Sequence, residues 1–223
     1  MRVAVLWSGG KESNLACQRV MAQGHEVAVL VTFIFDDWPS VCHPLPIMSL
    51  QSEALGIPHV TLRVAEPYKE AYRDSIRNLI RTDGVQGIVT GDIWIEEHRR
   101  WMESVCEGLG VRIIMPLWNE DTRDLLDAVL SGGFRPVFTC VKEPWFDADW
   151  IGHQLDGQRV EALKSLHDRL GIDICGENGE YHTMVLDGPI FKRSVRIEEF
   201  AVEKKGSVLL LRPHRLFSEG KEL

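Results

Sequence analysis

Short apolar runs alternate with stretches of helical periodicity through the first half of the chain. Val3-Ala4-Val5-Leu6, Val27 to Phe35, Ile57 to Leu62, Val85 to Thr90 and Val111 to Met115 are the runs. The run from Val27 to Phe35 lacks polar alternation, which suits a strand buried on both faces of a parallel sheet, and the others read as short strands. Between them, helices are expected over Asn14 to Gln23, Ile47 to Leu55, Tyr68 to Arg81 and Glu96 to Leu109. Gly24 and Gly56 stand where helices usually stop. Asp36 to Pro46, with prolines at 39, 44 and 46, reads as a loop. This β–α alternation predicts an α/β fold built on a doubly wound parallel sheet with right-handed crossovers.

The pattern changes after Pro116-Leu117-Trp118. A helix from Asp121 to Leu130 breaks at Ser131-Gly132-Gly133, Arg135 to Val141 reads as a strand, and Arg159 to Leu170 is a helix closed by Gly171. From Met184 the chain looks antiparallel, with Phe191 to Val202 and Ser207 to Leu211 paired across Lys204-Lys205-Gly206. Residues 1–118 are therefore expected as one domain and 119–223 as a smaller α+β domain. Ser218 to Leu223 reads as a frayed tail.

Composition narrows the class. A length of 223 residues suits one α/β core with an appendage, and 44% apolar with 26% charged residues is ordinary for a globular protein. The formal charge of −8 argues against a broad nucleic-acid surface. Five cysteines, none in a Cys-x-x-Cys pair, suggest reduced thiols of a cytoplasmic protein rather than a disulfide framework or structural zinc. The first apolar run is cut short by Ser8-Gly9-Gly10-Lys11 and does not read as a signal peptide. No uncharged run reaches the roughly 20 residues needed to span a bilayer, so no membrane role is expected.

Candidate chemistry begins where the first strand turns into the first helix, at Ser8-Gly9-Gly10-Lys11-Glu12-Ser13. Glycines let the backbone approach a ligand and supply positive φ. The helix start offers N–H groups and a positive dipole end, while the serines and Lys11 add hydroxyls and a cation. The alternative is a plain turn with a solvated lysine. Neither the Gly-x-x-x-x-Gly-Lys-Ser/Thr loop nor Gly-x-Gly-x-x-Gly fits the spacing. The stretch instead resembles the SGGKDS-type loop of the N-type ATP pyrophosphatases, the PP-loop superfamily, with Glu12 in place of the usual aspartate. That resemblance implies an adenine nucleotide alpha hydrolase-like fold that cuts ATP between its α- and β-phosphates.

A second polar stretch, Gly176-Glu177-Asn178-Gly179-Glu180-Tyr181-His182-Thr183, reads either as a surface turn or as one wall of a cleft. Taken in order with the first loop, Gly91-Asp92-Ile93, Arg100-Trp101 through Pro116-Leu117-Trp118, and Asp187-Gly188-Pro189-Ile190-Phe191, it resembles the diphthine–ammonia ligase family. The resemblance implies an ATP-dependent ligase that adenylates a carboxylate, diphthine on elongation factor 2 in archaea and eukaryotes. Ammonia then displaces AMP to give diphthamide. It implies ATP and Mg²⁺, with Ser8, Gly9, Gly10, Lys11, Glu12, Ser13, Gly91 and Asp92 on the nucleotide and Asp92 on the metal. Asp92 also reads as an ordinary helix cap. Lys11, Glu177 and Glu180 are the expected catalytic residues. His43, Gly176, Asn178, Gly179, Tyr181, His182 and Thr183 are expected on the acceptor side, where Trp145, Trp150 and Tyr181 are available to a trimethylammonium group. A homodimer is admissible. Two other readings compete: a PP-loop tRNA-modifying enzyme, and a nucleotide-binding regulatory protein without transfer activity.

Overall fold

The computed structural model describes residues 1–35 and 42–221. Positions 36–41 of the expected Asp36–Pro46 loop, and 222–223 of the expected tail, lie outside the described residues. The chain divides into two compact units. The first comprises Met1–Ser8, Glu12–Pro39 and Ile57–Glu120; the second comprises Gly9–Lys11, Ser40–Gly56 and Asp121–Leu223. Besides the C-terminal pattern, the second unit takes in Gly9–Lys11 of the glycine loop and a helix from the N-terminal half.

The first unit carries strands β1 (Arg2–Leu6), β2 (Glu26–Phe35), β3 (His59–Val64), β4 (Gly87–Val89) and β5 (Arg112–Ile114). They form one parallel sheet in the order β3-β2-β1-β4-β5. Helices α1 (Lys11–Ala22), α3 (Tyr68–Asp83) and α4 (Glu96–Cys106) connect these strands. Ala4, Val29, Val31, Phe33, Ile76, Ile88 and Val105 belong to one buried cluster. The runs at β1, β2 and β4 are thus buried central strands of a doubly wound α/β sheet, while β3 and β5 are its half-buried edges. α1 begins at Lys11, three residues earlier than apolar periodicity suggests, because its first turn is polar and carries the loop's own Lys11, Glu12 and Ser13.

The second unit holds α2 (Leu45–Leu55), α5 (Thr122–Ser131), β6 (Pro136–Lys142), a single 3₁₀ turn (Ala148–Trp150), α6 (Gly157–Leu170), β7 (Tyr181–Val185), β8 (Arg193–Lys205) and β9 (Val208–Gly220). Its four strands form an antiparallel sheet in the order β7-β6-β9-β8. α2 starts two residues before the expected Ile47 because Pro46 sits in its first turn, where a missing N–H costs nothing. The antiparallel sheet begins with β6 at Pro136, well ahead of the expected Met184. The frayed tail is overturned for Ser218 to Gly220: Ser218 pairs with Val195, Glu219 with Ser194 and Gly220 with Arg193. Asp187 fastens the same end, accepting hydrogen bonds from Lys221 Nζ, from the Gly188 amide and from Ser194 Oγ, each at 2.7 Å.

Candidate active site

In the first unit, chain order along the sheet reverses between β1 and β4, the switch point where open α/β sheets bind ligands. Trp7, just past β1, donates its amide to Val31 O at 2.7 Å, and its carbonyl accepts Thr32 Oγ1 at 2.6 Å. Thr32 Oγ1 in turn meets His59 Nε2 at 2.8 Å. These bonds continue the β1–β2 pairing into the loop and hold its entry. Ser8 Oγ lies 3.3 Å from Ser13 Oγ, so two hydroxyls converge at the start of α1. Gly91, just past β4, has no room for a side chain. A Cβ there would stand 2.9 Å from the Glu12 carbonyl carbon and 3.0 Å from Ser13 N. Asp92 receives His98 Nδ1 at 2.9 Å and is otherwise partly exposed.

The second unit holds the rest of the glycine loop and the second polar stretch. Gly9 has φ +74°, and a Cβ on it would lie 2.3 Å from Gln51 Oε1. Its carbonyl accepts the Val185 amide and Gln51 Nε2, both at 2.9 Å; the same Nε2 reaches Val185 O at 2.7 Å. Lys11 is buried, at 3% exposure. Its Nζ donates to Cys175 O at 2.6 Å and stands 4.6 Å from the Tyr181 ring centroid. Its amide faces Thr183 Oγ1 at 3.4 Å.

Glu180 organises the turn before β7. Its carboxylate accepts the Asp173 amide at 2.8 Å, the Asn178 amide at 3.0 Å and Asn178 Nδ2 at 3.3 Å. Asp173 Oδ1 accepts the amides of Cys175 and Glu177 at 2.8 and 3.3 Å. Gly176 (φ +79°) lets the turn close on Tyr181, whose carbonyl oxygen would lie 2.7 Å from any Cβ there. Glu177 and Gly179 are half-buried and Asn178 is exposed, so the turn's outer edge is open to solvent. Tyr181 donates its hydroxyl to Ile174 O at 2.6 Å and packs with Phe138 and Phe146. Trp150 packs edge-on against the same two rings and lies beneath the Arg159 guanidinium. Tyr181 and Trp150 are therefore core rings rather than walls of a cage, and Trp145 lies near Lys142 Nζ at 5.4 Å.

His43 and His182 stand edge to face, with ring centroids 4.9 Å apart. Burial, then the neighbouring His182 and Lys11, push His43 down to about 3; burial and Lys11 push His182 down to about 4. Both are neutral imidazoles near pH 7. The second unit thus brings together Gly9, Gly10 and Lys11 with His43 and the stretch from Gly176 to Thr183, while Ser8, Glu12, Ser13, Gly91 and Asp92 belong to the first.

Sequence reasoning missed Gln51. The buried face of α2 is Ile47, Met48, Gln51, Ala54 and Leu55, so an amide at a core position of the helix was the available signal.

These residues suit a polyphosphate. A 12-residue helix begins at the loop, hydroxyls converge beside it, and Gly9 takes a backbone shape closed to side chains. Asp92 supplies one carboxylate, consistent with the way Mg²⁺ is held by one or two carboxylates plus phosphate oxygens and water.

The sequence model of the diphthamide synthase N-terminal domain matches residues 1–113, and that of the C-terminal domain matches residues 121–211. A Rattus norvegicus diphthine–ammonia ligase is 27% identical, covering 89% of this chain and 83% of the relative. The Homo sapiens diphthine–ammonia ligase is 28% identical, covering 91% and 85%. The Schizosaccharomyces pombe protein of that name is 26% identical over 93% of this chain but only 38% of its own length. A solved Methanocaldococcus jannaschii structure, described as a predicted tRNA methyltransferase subunit, covers 87% of the chain with 19% identity and a TM-score of 0.46, too distant to bear on function. With both domain models matched in order, the chain belongs to the diphthamide synthase family.

Proposed function

We propose that this protein is an ATP-dependent amide ligase that converts the diphthine carboxylate of elongation factor 2 into diphthamide, using ammonia and releasing AMP and pyrophosphate. We place it in the cytoplasm; among the described residues no helix is long and apolar enough to cross a membrane. The observation that carries the reading is Lys11, a residue of the glycine loop whose ammonium is fastened to Cys175 O beside the Gly176–Thr183 stretch. Nucleotide and acceptor chemistry thereby share one buried lysine. Residues 1–118 are assigned to ATP binding and 119–223 to the acceptor.

The reaction needs negative charge stabilised on the departing pyrophosphate. The first amides of α1, the Ser8 and Ser13 hydroxyls and the Lys11 cation supply this, with Gly9, Gly10, Glu12 and Gly91 shaping the backbone around them. Asp92 would hold Mg²⁺, which would screen the charge of the triphosphate. An oxygen of the acceptor carboxylate attacks the α-phosphorus, and the bond to the β-phosphate oxygen breaks. Ammonia then attacks the activated carbonyl, AMP leaves with the former carboxylate oxygen, and a proton goes to Glu177 at the open edge of the turn. Glu180 positions that turn through its three N–H bonds. Asn178, Gly179 and Thr183 border the acceptor, Tyr181 carries Lys11 on its ring, and His43 flanks the same lysine's field. Incubation with ATP, ammonium and diphthine-bearing elongation factor 2 should convert the acid to its amide, read by mass. An acceptor that stays an acid while ATP binds would refute the assignment.

A further inference from the structure

The second unit also assembles a set of soft ligands, one of which, His182, comes from the stretch expected on the acceptor side. Cys140 of β6 and His182 of β7 are direct partners in the antiparallel ladder, so their side chains share a face of the sheet. Cys42 arrives from the segment before α2, and its Sγ stands 2.7 Å from that of Cys140. Sγ of Cys42, Sγ of Cys140 and a ring nitrogen of His182 all lie within 4.8 Å of one another. Among the described residues this is the one group of three or more histidine, cysteine or acidic side chains so disposed. Cys17, Cys106 and Cys175, although buried, belong to no such group.

Cys42 is also held in place from behind. Buried Thr139, next to Cys140, donates its hydroxyl to Cys42 O at 2.7 Å. The backbone carrying the first sulfur is thus tied to the strand carrying the second, independently of any contact between the sulfurs.

We propose that Cys42, Cys140 and His182 form a zinc site. Two thiolates and an imidazole are the donors zinc prefers, at about 2.3 Å for sulfur and about 2.0–2.1 Å for nitrogen. Tetrahedral ligands at those lengths stand roughly 3.5–4 Å apart, inside the present 4.8 Å envelope, and the two sulfurs need only part by about 1 Å. Magnesium and calcium, which take oxygen ligands, do not suit this set. The ion pins the chain ahead of α2 to the β6–β7 pair, and His182 then serves the metal rather than the acceptor. The site stands apart from the ligase reading: it needs no nucleotide and survives if the acceptor is a different carboxylate.

The test uses the tag-free, fully reduced chain. Metal content by mass spectrometry and Zn²⁺ titration against a chromophoric chelator should give one zinc per chain. Co²⁺ in its place should show thiolate-to-metal charge-transfer absorption and tetrahedral d–d bands. Loss of even an outer partner weakens metal sites 10–100-fold, so Cys42→Ser and Cys140→Ser should each weaken zinc binding by roughly 100-fold or more. Cys106→Ser should bind as the parent does. Far-UV circular dichroism separates lost ligation from lost folding, and the partly exposed Cys42 makes its serine variant the more tolerant of the two. Substoichiometric uptake by the folded, reduced parent overturns the proposal. So does undiminished affinity in folded Cys42→Ser, or a Cys42–Cys140 disulfide whose reduced form takes up no zinc.

Discussion

Lys11 and Glu180 show how single buried charges set the chemistry available here. Lys11 combines a carbonyl partner with an aromatic face, so its charge is fixed in position rather than solvated. Lys11→Ala should leave the fold intact by circular dichroism and lower acceptor-dependent pyrophosphate release by a hundredfold or more, about 3 kcal/mol for one preorganised donor. Unchanged turnover would remove Lys11 from the mechanism. Glu180 is 2% exposed and accepts only N–H donors. Glu180→Gln turns an NH₂ toward them, which should cost about 2 kcal/mol of stability, the scale of a buried charged hydrogen bond. Chemical denaturation checks this, and a variant as stable as the parent would mean that the turn does not depend on the charge. Both residues were legible as candidates from their motifs. Their division of labour was not, because a Gly-Glu-Asn-Gly-Glu stretch does not reveal which carboxylate turns inward; Glu180 does so because Gly176 folds the chain back on Tyr181.

At the scale of elements, the continuous apolar runs at β1 and β2 were legible because central strands buried on both faces show no polar alternation, whereas β3 and β5 are half-buried edges. The C-terminal hairpin was harder to read. β8 and β9 each run 13 residues with many exposed positions, and a solvated strand carries weak hydrophobic periodicity. Gln51 went unread for the opposite reason: an amide on a buried helix face looks like a patterning error until Gly9 and Val185 appear opposite it. The end of the hairpin makes a pH prediction. Burial alone would raise the Asp187 carboxyl, but Lys221, Ser194 and the Gly188 amide outweigh it and hold the group below its ordinary value. A depressed carboxyl contributes stability that is present above the unfolded value, about 3.9, and is lost as pH falls through the lower folded value. Asp187→Asn should therefore flatten the acid limb of stability below about pH 4. Parallel profiles for variant and parent would show that the clasp contributes nothing.

At the scale of the molecule, the two units interleave along the chain, and the placement of two N-terminal segments was not visible in the sequence. Gly9–Lys11 and α2 precede Asp121 by many residues yet belong to the second unit. Their assignment follows from long-range bonds such as Val185 N to Gly9 O and Lys192 N to Ala54 O, which local periodicity cannot carry. The proposed reaction hands a nucleotide's innermost phosphoryl group to an acid. The most direct measurement supplies the acceptor with ¹⁸O in its carboxylate and follows the label through one turnover. Adenylation requires one heavy oxygen in AMP and none in pyrophosphate; label in inorganic phosphate with ADP as product, or in no phosphorus compound at all, would contradict the account.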